Sequence, residues 1–264
     1  MKTVLVTRPQ PGATRTAERL LCSGFLPLVL PLTEIVALPA KKPAGKFSAV
    51  AVTSASALRQ ASDEALLPLL NLPCFVVGEA TAAMARARGF ETVTTGDGDG
   101  ASLAQTVIEE SCTGARILYL TGRVRAPDFE HSLRKARIHF RTLTSYDTVS
   151  VSYTTDFLLN FFSKGKLDYC LLYSRWSAEE FMRLAGQVEI AHHLDNTSIL
   201  CLSSRISEVL SGLRNASVHV ANKPNEDALF DLCKGHKSLW LPSNKIVPFR
   251  SRNFLASLAQ TRIL

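Results

Sequence analysis

The sequence predicts an α/β protein of doubly wound parallel sheets, and two observations carry the prediction. A short aliphatic or β-branched run, then Thr, Ser or Gly, then an amphipathic helical stretch, recurs along the chain. The apolar runs are continuous and do not alternate with polar residues, which is the pattern of strands covered on both faces. Strands separated by helices in this way pair in parallel through right-handed crossovers. At 264 residues, 46% of them hydrophobic, the chain is long enough for two such domains.

Taken in order, Val4-Leu5-Val6-Thr7 precedes a helix over Ala13 to Ser23, and Ala49 to Val52 leads into Thr53-Ser54. Cys74 to Val77 ends at Gly78, before a helix from Ala80 to Arg88. Ile117 to Leu120 is followed by Thr121-Gly122, Cys170 to Tyr173 by Ser174, and Ile199 to Leu202 by Ser203-Ser204. Two extended segments interrupt the rhythm. Leu28 to Leu38 carries Pro31 too early for a central strand, and Thr142 to Val151 is rich in β-branched and hydroxyl residues. Both are expected to cross between domains and to pair as a two-stranded hinge. Residues 37–149 would then form a domain inserted into one built from 1–36 and 150–234, leaving 235–264 as a basic C-terminal tail.

The net charge of +7 suggests nucleic acid until it is located. Six basic residues and no acidic ones lie from Lys234 onward, leaving 24 basic against 23 acidic residues in the body. A nucleic-acid argument for the folded body therefore fails. The tail is open to disorder, to docking on the body, or to contact with an acidic partner. Six cysteines, spread without a CxxC pair, read as small buried hydrophobes in a reducing compartment. No apolar run reaches the roughly 18 residues of a membrane span, and the N-terminus enters a strand pattern without a signal-peptide layout. A cytoplasmic protein is expected.

Ligands of open parallel sheets bind at the carboxyl ends of strands, beside helix N-termini that carry unpaired N–H groups and partial positive charge. Those ends hold Thr7, Arg8, Thr53, Ser54, Ser56, Gly78, Thr81, Thr121, Gly122, Arg123, Ser174, Ser177, Ser203, Ser204 and Arg205. Individually, most such Ser and Thr residues cap helices. Together, around a cleft between two domains, they suit a polyanionic ligand. The run Gly96 to Ala101 fits G-x-G-x-x-A in form, but Asp97 and Asp99 would repel a pyrophosphate, so it reads as a turn into a helix. His192-His193 read as a solvated helix end, and Asn196-Thr197-Ser198 is a glycosylation sequon without consequence in an unsecreted protein. No nucleophile elbow, phosphate-loop lysine, metal centre or cofactor motif stands out.

Serial blocks nonetheless match one family. They are VLVTRP near the start, VTSASAL at 52–58, VVGEATAAMARARGF at 76–90, ILYLTGR at 117–123, SYDTV at 145–149, LLYSRWSAEEF at 171–181, ILCLSSRISEVL at 199–210 and VANKPNEDAL at 220–229. In this order the chain resembles the uroporphyrinogen-III synthases over residues 1–234. The resemblance implies two flavodoxin-like, doubly wound domains, one inserted in the other, with the active site in the cleft between them. It implies no metal or organic cofactor, and a linear tetrapyrrole substrate, hydroxymethylbilane, with eight carboxylates. The implied reaction loses the ring A hydroxyl as water and closes the macrocycle with ring D inverted, through a spiro intermediate. Geometric control dominates such a reaction, which agrees with the lack of a familiar catalytic cluster.

By the same resemblance, Tyr146 matches the hinge-strand tyrosine proposed to assist loss of the hydroxyl, a role set against simple packing of the hinge. Ser54, Thr81, Ser174 and Ser177 match hydroxyl positions that bind acetate and propionate groups. The remaining strand-end candidates are Arg8, Ser56, Gly78, Thr121, Gly122, Ser203, Ser204 and Arg205. The last three depart from the family's glycine followed by small or hydroxyl residues; Arg205 either pairs with a substrate carboxylate or marks different contacts. A monomer, with transient hand-over of substrate from hydroxymethylbilane synthase, is the expected partnership. The rival reading is a non-catalytic two-domain protein closing on an anionic metabolite or a protein partner. A nucleotide-dependent transferase would need a phosphate loop that the chain lacks.

Overall fold

The computed structural model describes residues 1–40, 43–110 and 114–235. Their strands fall into two sheets. The first combines both ends of the described chain: β1 (Thr3–Val6), β2 (Leu26–Val29), β9 (Tyr169–Leu172), β10 (Ser198–Cys201) and β11 (Ser217–Val220). Its order is β11-β10-β9-β1-β2, parallel throughout. The second holds β3 (Thr33–Ala37), β4 (Ala49–Val52), β5 (Cys74–Val76), β6 (Val93–Thr95), β7 (Arg116–Gly122) and β8 (His139–Ser150) in the order β3-β8-β7-β4-β5-β6. Only the β3–β8 pair in it is antiparallel.

Neighbouring residues of a strand face opposite sides of its sheet, and apolar neighbours here supply a core to each side. Leu5, Cys170, Leu172 and Ile199 pack against α7 (Thr155–Phe162) and α8 (Arg175–Ala185). Val4, Val6, Leu171 and Leu200 pack against α1 (Gly12–Cys22) and α11 (Glu226–Gly235). In the second sheet Val50, Val52, Leu118 and Leu120 meet α2 (Ala55–Gln60) and α4 (Glu79–Ala87). On its other side Ala51, Phe75, Ile117 and Tyr119 meet α5 (Gly100–Glu110) and α6 (Asp128–Lys135). The short helices α3 (Asp63–Leu66) and α9 (Val188–Ala191) add Leu66 to the α2–α4 core and Ile190 to the α7–α8 core. Each longer helix offers a matching stripe; in α1 the buried positions Ala13, Thr16, Ala17 and Leu20 follow the 3.6-residue period. Gly24, at φ +80°, turns the chain out of α1 into β2.

The expected single stretch Leu28 to Leu38 is two strands. Pro31 has no N–H to give to a ladder, and the chain changes sheets over Leu30 to Leu32: β2 stays with β1, while β3 joins the second sheet. Leu30 and Leu32 still donate to the carbonyls of Val6 and Thr7, so the crossing is anchored to the first sheet. The other extended segment begins earlier than expected, at His139, and changes partner along its length. Its first half runs parallel to β7, and residues 146–150 pair antiparallel with β3. The two extended segments thus pair with each other, Thr33 opposite Ser150 and Ala37 opposite Tyr146.

Four cysteines are buried as expected; Cys22 is not, because it ends α1 on its solvent side. Cys112 and residues 236–264, which include nearly all of the expected tail, lie outside the described residues. No helix among the described residues is long and apolar enough to cross a membrane.

Candidate active site

The central feature is an irregularity between β7 and β8. Thr121 lies opposite Thr144, but Gly122 lies opposite Tyr146, so Ser145 is an extra residue with no counterpart on β7. Its hydroxyl is fully buried and donates to the Ala57 carbonyl of α2 at 2.7 Å. Because strand side chains alternate, the extra residue reverses the facing of the residues after it. Leu143 and Tyr146, three positions apart, both pack on the α2–α4 side. The bulge therefore turns the Tyr146 ring over Gly122 at the carboxyl end of β7. A Cβ at Gly122 would stand 2.4 Å from Tyr146 Cζ, so only glycine leaves room for the ring.

Tyr146 is 8% exposed. Burial pushes its phenol pKa above the ordinary 10, nearby Tyr119 adds to the rise, and the Ser54 hydroxyl facing it opposes them without reversing the result. The phenol is therefore protonated at neutral pH and is a donor. Ser54 caps α2 and accepts from the Ser56 N–H at 3.2 Å. Next to it, the Thr53 hydroxyl bonds the Tyr119 hydroxyl at 2.8 Å. Gly78 caps α4 in extended conformation, with no atom within 4 Å of where a Cβ would stand, so the start of α4 is open. Thr81, one turn on, is buried, as is Thr121. Arg123, just past Gly122, pairs with Asp147 at 2.6 Å.

In the first sheet, Ser174 caps α8 in a reciprocal box with Ser177: each hydroxyl accepts the other's backbone N–H at 3.1 Å. Ser174 is exposed, whereas Ser177 is 1% exposed and also donates to the Ser174 carbonyl, so its hydroxyl is used inside the cap. Ser203 starts α10 (Ser204–Ser207) without a side-chain cap bond, and Ser204 and Arg205 are exposed. Arg8 is drawn elsewhere. Its guanidinium lies over the Tyr173 ring at 4.4 Å and pairs with Glu226 at 3.2 Å. Glu226 also accepts from Thr16, Tyr173 and Arg19, which fastens α11 to α1 and to the end of β9.

The structure thus gathers Ser54, Ser56, Gly78, Thr81, Thr121, Gly122 and Tyr146 at the carboxyl ends of the second sheet. It places Arg8, Ser174, Ser177, Ser203, Ser204 and Arg205 at those of the first. One ion pair joins them: Arg205 of α10 reaches Asp128, the first residue of α6, at 3.4 Å. Among the described residues it is the only ion pair between elements of the two sheets. This pair brings the start of α10, which follows β10, beside the start of α6, which follows β7.

Sequence reasoning did not single out Tyr119 or Asp128. Tyr119 sat inside an apolar strand run, and its one signal was a polar tip near the strand's carboxyl end. Asp128 gave none, since its partner Arg205 is distant in sequence and belongs with the other sheet. His192 and His193 lie side by side in a short helical turn, their rings tilted by 37° and their centroids 3.9 Å apart. Among the described residues no three His, Cys, Asp or Glu side chains are grouped to hold a metal.

A family model described as uroporphyrinogen-III synthase HemD matches residues 14–231. The chain belongs to the uroporphyrinogen-III synthase family. Its members are cyclising lyases of haem biosynthesis, and this chain is a protein of tetrapyrrole biosynthesis. Among solved structures, the uroporphyrinogen-III synthetase of Helicobacter pylori 26695 is similar in fold. At 16% identity it superposes with a TM-score of 0.64 over 90% of this chain and 100% of its own. A mutant uroporphyrinogen III synthase of Thermus thermophilus gives a TM-score of 0.49 at 14% identity, over 89% of this chain and 98% of its own. Comparison with individual curated proteins gives no match.

Proposed function

We propose that this chain closes hydroxymethylbilane to uroporphyrinogen III in the cleft between its two sheets. The observation that carries the reading is the Tyr146 phenol, turned by the bulge onto Gly122 and faced by Ser54. There the buried, protonated phenol donates to the ring A hydroxyl as it leaves as water. Ring D then attacks through its substituted carbon, and the resulting spiro intermediate fragments and recloses with that ring inverted. The bilane also closes unaided to the uninverted isomer, so the protein's main task is to hold ring D for inversion.

The substrate's acetates and propionates meet Ser54, the exposed start of α4 at Gly78, Ser174, Ser203, Ser204 and Arg205. Thr81, Thr121, Ser56 and Ser177 hold the backbone that presents those groups. Residues 1–36 with 150–234 act as one domain and 37–149 as the other, hinged at the ladder of β3 and β8. The Arg205–Asp128 pair closes the mouth until a substrate carboxylate takes Arg205. The protein works as a cytoplasmic monomer that receives its unstable substrate from hydroxymethylbilane synthase. The test is the isomer formed from fresh hydroxymethylbilane: type III supports the reading, and type I alone leaves the cleft a binding site for an anionic metabolite.

A further inference from the structure

Tyr119 packs on the side of the second sheet opposite Tyr146. It is 1% exposed, with its ring against Phe129 at a centroid distance of 4.6 Å and an interplanar angle of 48°. Phenylalanine would fill that space equally well. The hydroxyl is what differs, and it extends past the core to Thr53 Oγ1, 2.8 Å away, at the carboxyl end of β4. Thr53 is its only hydrogen-bond partner among the described residues. Either hydroxyl can donate at this distance; a buried phenol proton needs an acceptor, which favours Tyr119 as donor and Thr53 as acceptor. A threonine hydroxyl has one proton and two lone pairs. With one lone pair occupied, its proton is left to point away from Tyr119, beside Ser54.

We propose that Tyr119 is a positioning residue for substrate, fixing the half-buried Thr53 hydroxyl as a donor to one carboxylate of the bound tetrapyrrole. The inference rests on the proposed function, since it needs a polycarboxylate in this cleft. Tyr119 and Tyr146 then bracket the end of β4 from opposite faces: one phenol orients a binding hydroxyl at Thr53, the other faces Ser54 and serves the leaving group.

The experiment compares Tyr119→Phe, Thr53→Val and the double variant, with hydroxymethylbilane as substrate, type III product as readout and thermal melting as a check on folding. Loss of one oriented hydrogen bond is expected to raise KM about five- to tenfold in either single variant. The double variant should be no worse than Thr53→Val alone, because Tyr119 acts only through the Thr53 hydroxyl. Thr53→Ser keeps the hydroxyl and should restore the KM. An unchanged KM in Tyr119→Phe, or single effects that multiply in the double variant, would overturn the inference. Wild-type protein that makes only type I product defeats the proposed function and this inference with it. Type III product from the wild type with unaffected variants defeats this inference alone.

Discussion

Gly122 and Tyr146 compete for one volume: a Cβ at Gly122 would lie 2.4 Å from the tyrosine Cζ and 2.8 Å from its hydroxyl oxygen. The missing side chain on β7 and the extra residue on β8 together decide where the phenol stands. Gly122→Ala should therefore displace the ring, not merely crowd it. Overpacking of this kind costs about 1–3 kcal/mol, and a misplaced acid costs roughly 10²-fold in rate. Thermal melting and kcat/KM for type III formation check both; a variant with wild-type kcat/KM would show that the ring position is unimportant.

Gly78 is the opposite case. A Cβ there would meet no atom within 4 Å, and the backbone is extended, a conformation open to any residue. Gly78→Ala should cost no more than about 1 kcal/mol, the difference between the two residues as helix N-caps. The added methyl projects toward the start of α4, where a carboxylate would approach the free N–H groups, so KM should rise several-fold. An unchanged KM would remove this helix start from the binding surface.

Glu226, like Glu130, is a carboxyl whose pKa lies below the ordinary value. Burial pushes its carboxyl pKa up, but hydrogen bonds from Thr16 and Tyr173 and the Arg8 charge outweigh that, and the folded value lies below the ordinary 4.5. A depressed carboxyl pKa stabilises fully above the ordinary value, and the benefit is lost as pH falls through the folded one. Glu226→Gln should cost about 1–3 kcal/mol at neutral pH, since Arg8 loses its counter-charge while Arg19 keeps only Asp227. The gap in melting temperature between variant and wild type should begin to close as pH falls past the ordinary 4.5 and go on closing through the lower folded value. A gap independent of pH would assign the loss to packing of α11.

Much of this architecture was legible because it rests on periodicity. The continuous runs at Val4 to Val6, Ala49 to Val52 and Cys170 to Leu172 are fully or nearly fully buried, as strands covered on both faces must be. Hydroxyl and glycine residues at strand ends were legible for the same reason, since chain order fixes where a strand stops. Pro31 signalled a break but not that the chain changes sheets there, which depends on which edge each strand joins. The bulge at Ser145 left no trace in a stretch of Thr, Ser and Tyr, because those residues suit either facing of a strand. Arg8 shows the reverse difficulty. Its place after β1 looks like a ligand position, yet Glu226, distant in sequence, engages it.

The most direct test is the isomer made from hydroxymethylbilane by the wild-type protein and by Tyr146→Phe, resolved by chromatography after oxidation of the products. The phenylalanine ring preserves the packing over Gly122 and removes only the hydroxyl, so melting should be unchanged while type III formation falls on the order of 10²-fold. Because the Tyr146 pKa is raised above 10, the wild-type rate should show no alkaline loss from this group until above that value. Predominant type III product, abolished by boiling and slowed in the variant, is the predicted result. Type I product alone from the wild type, or equal rates from the two proteins, would contradict it.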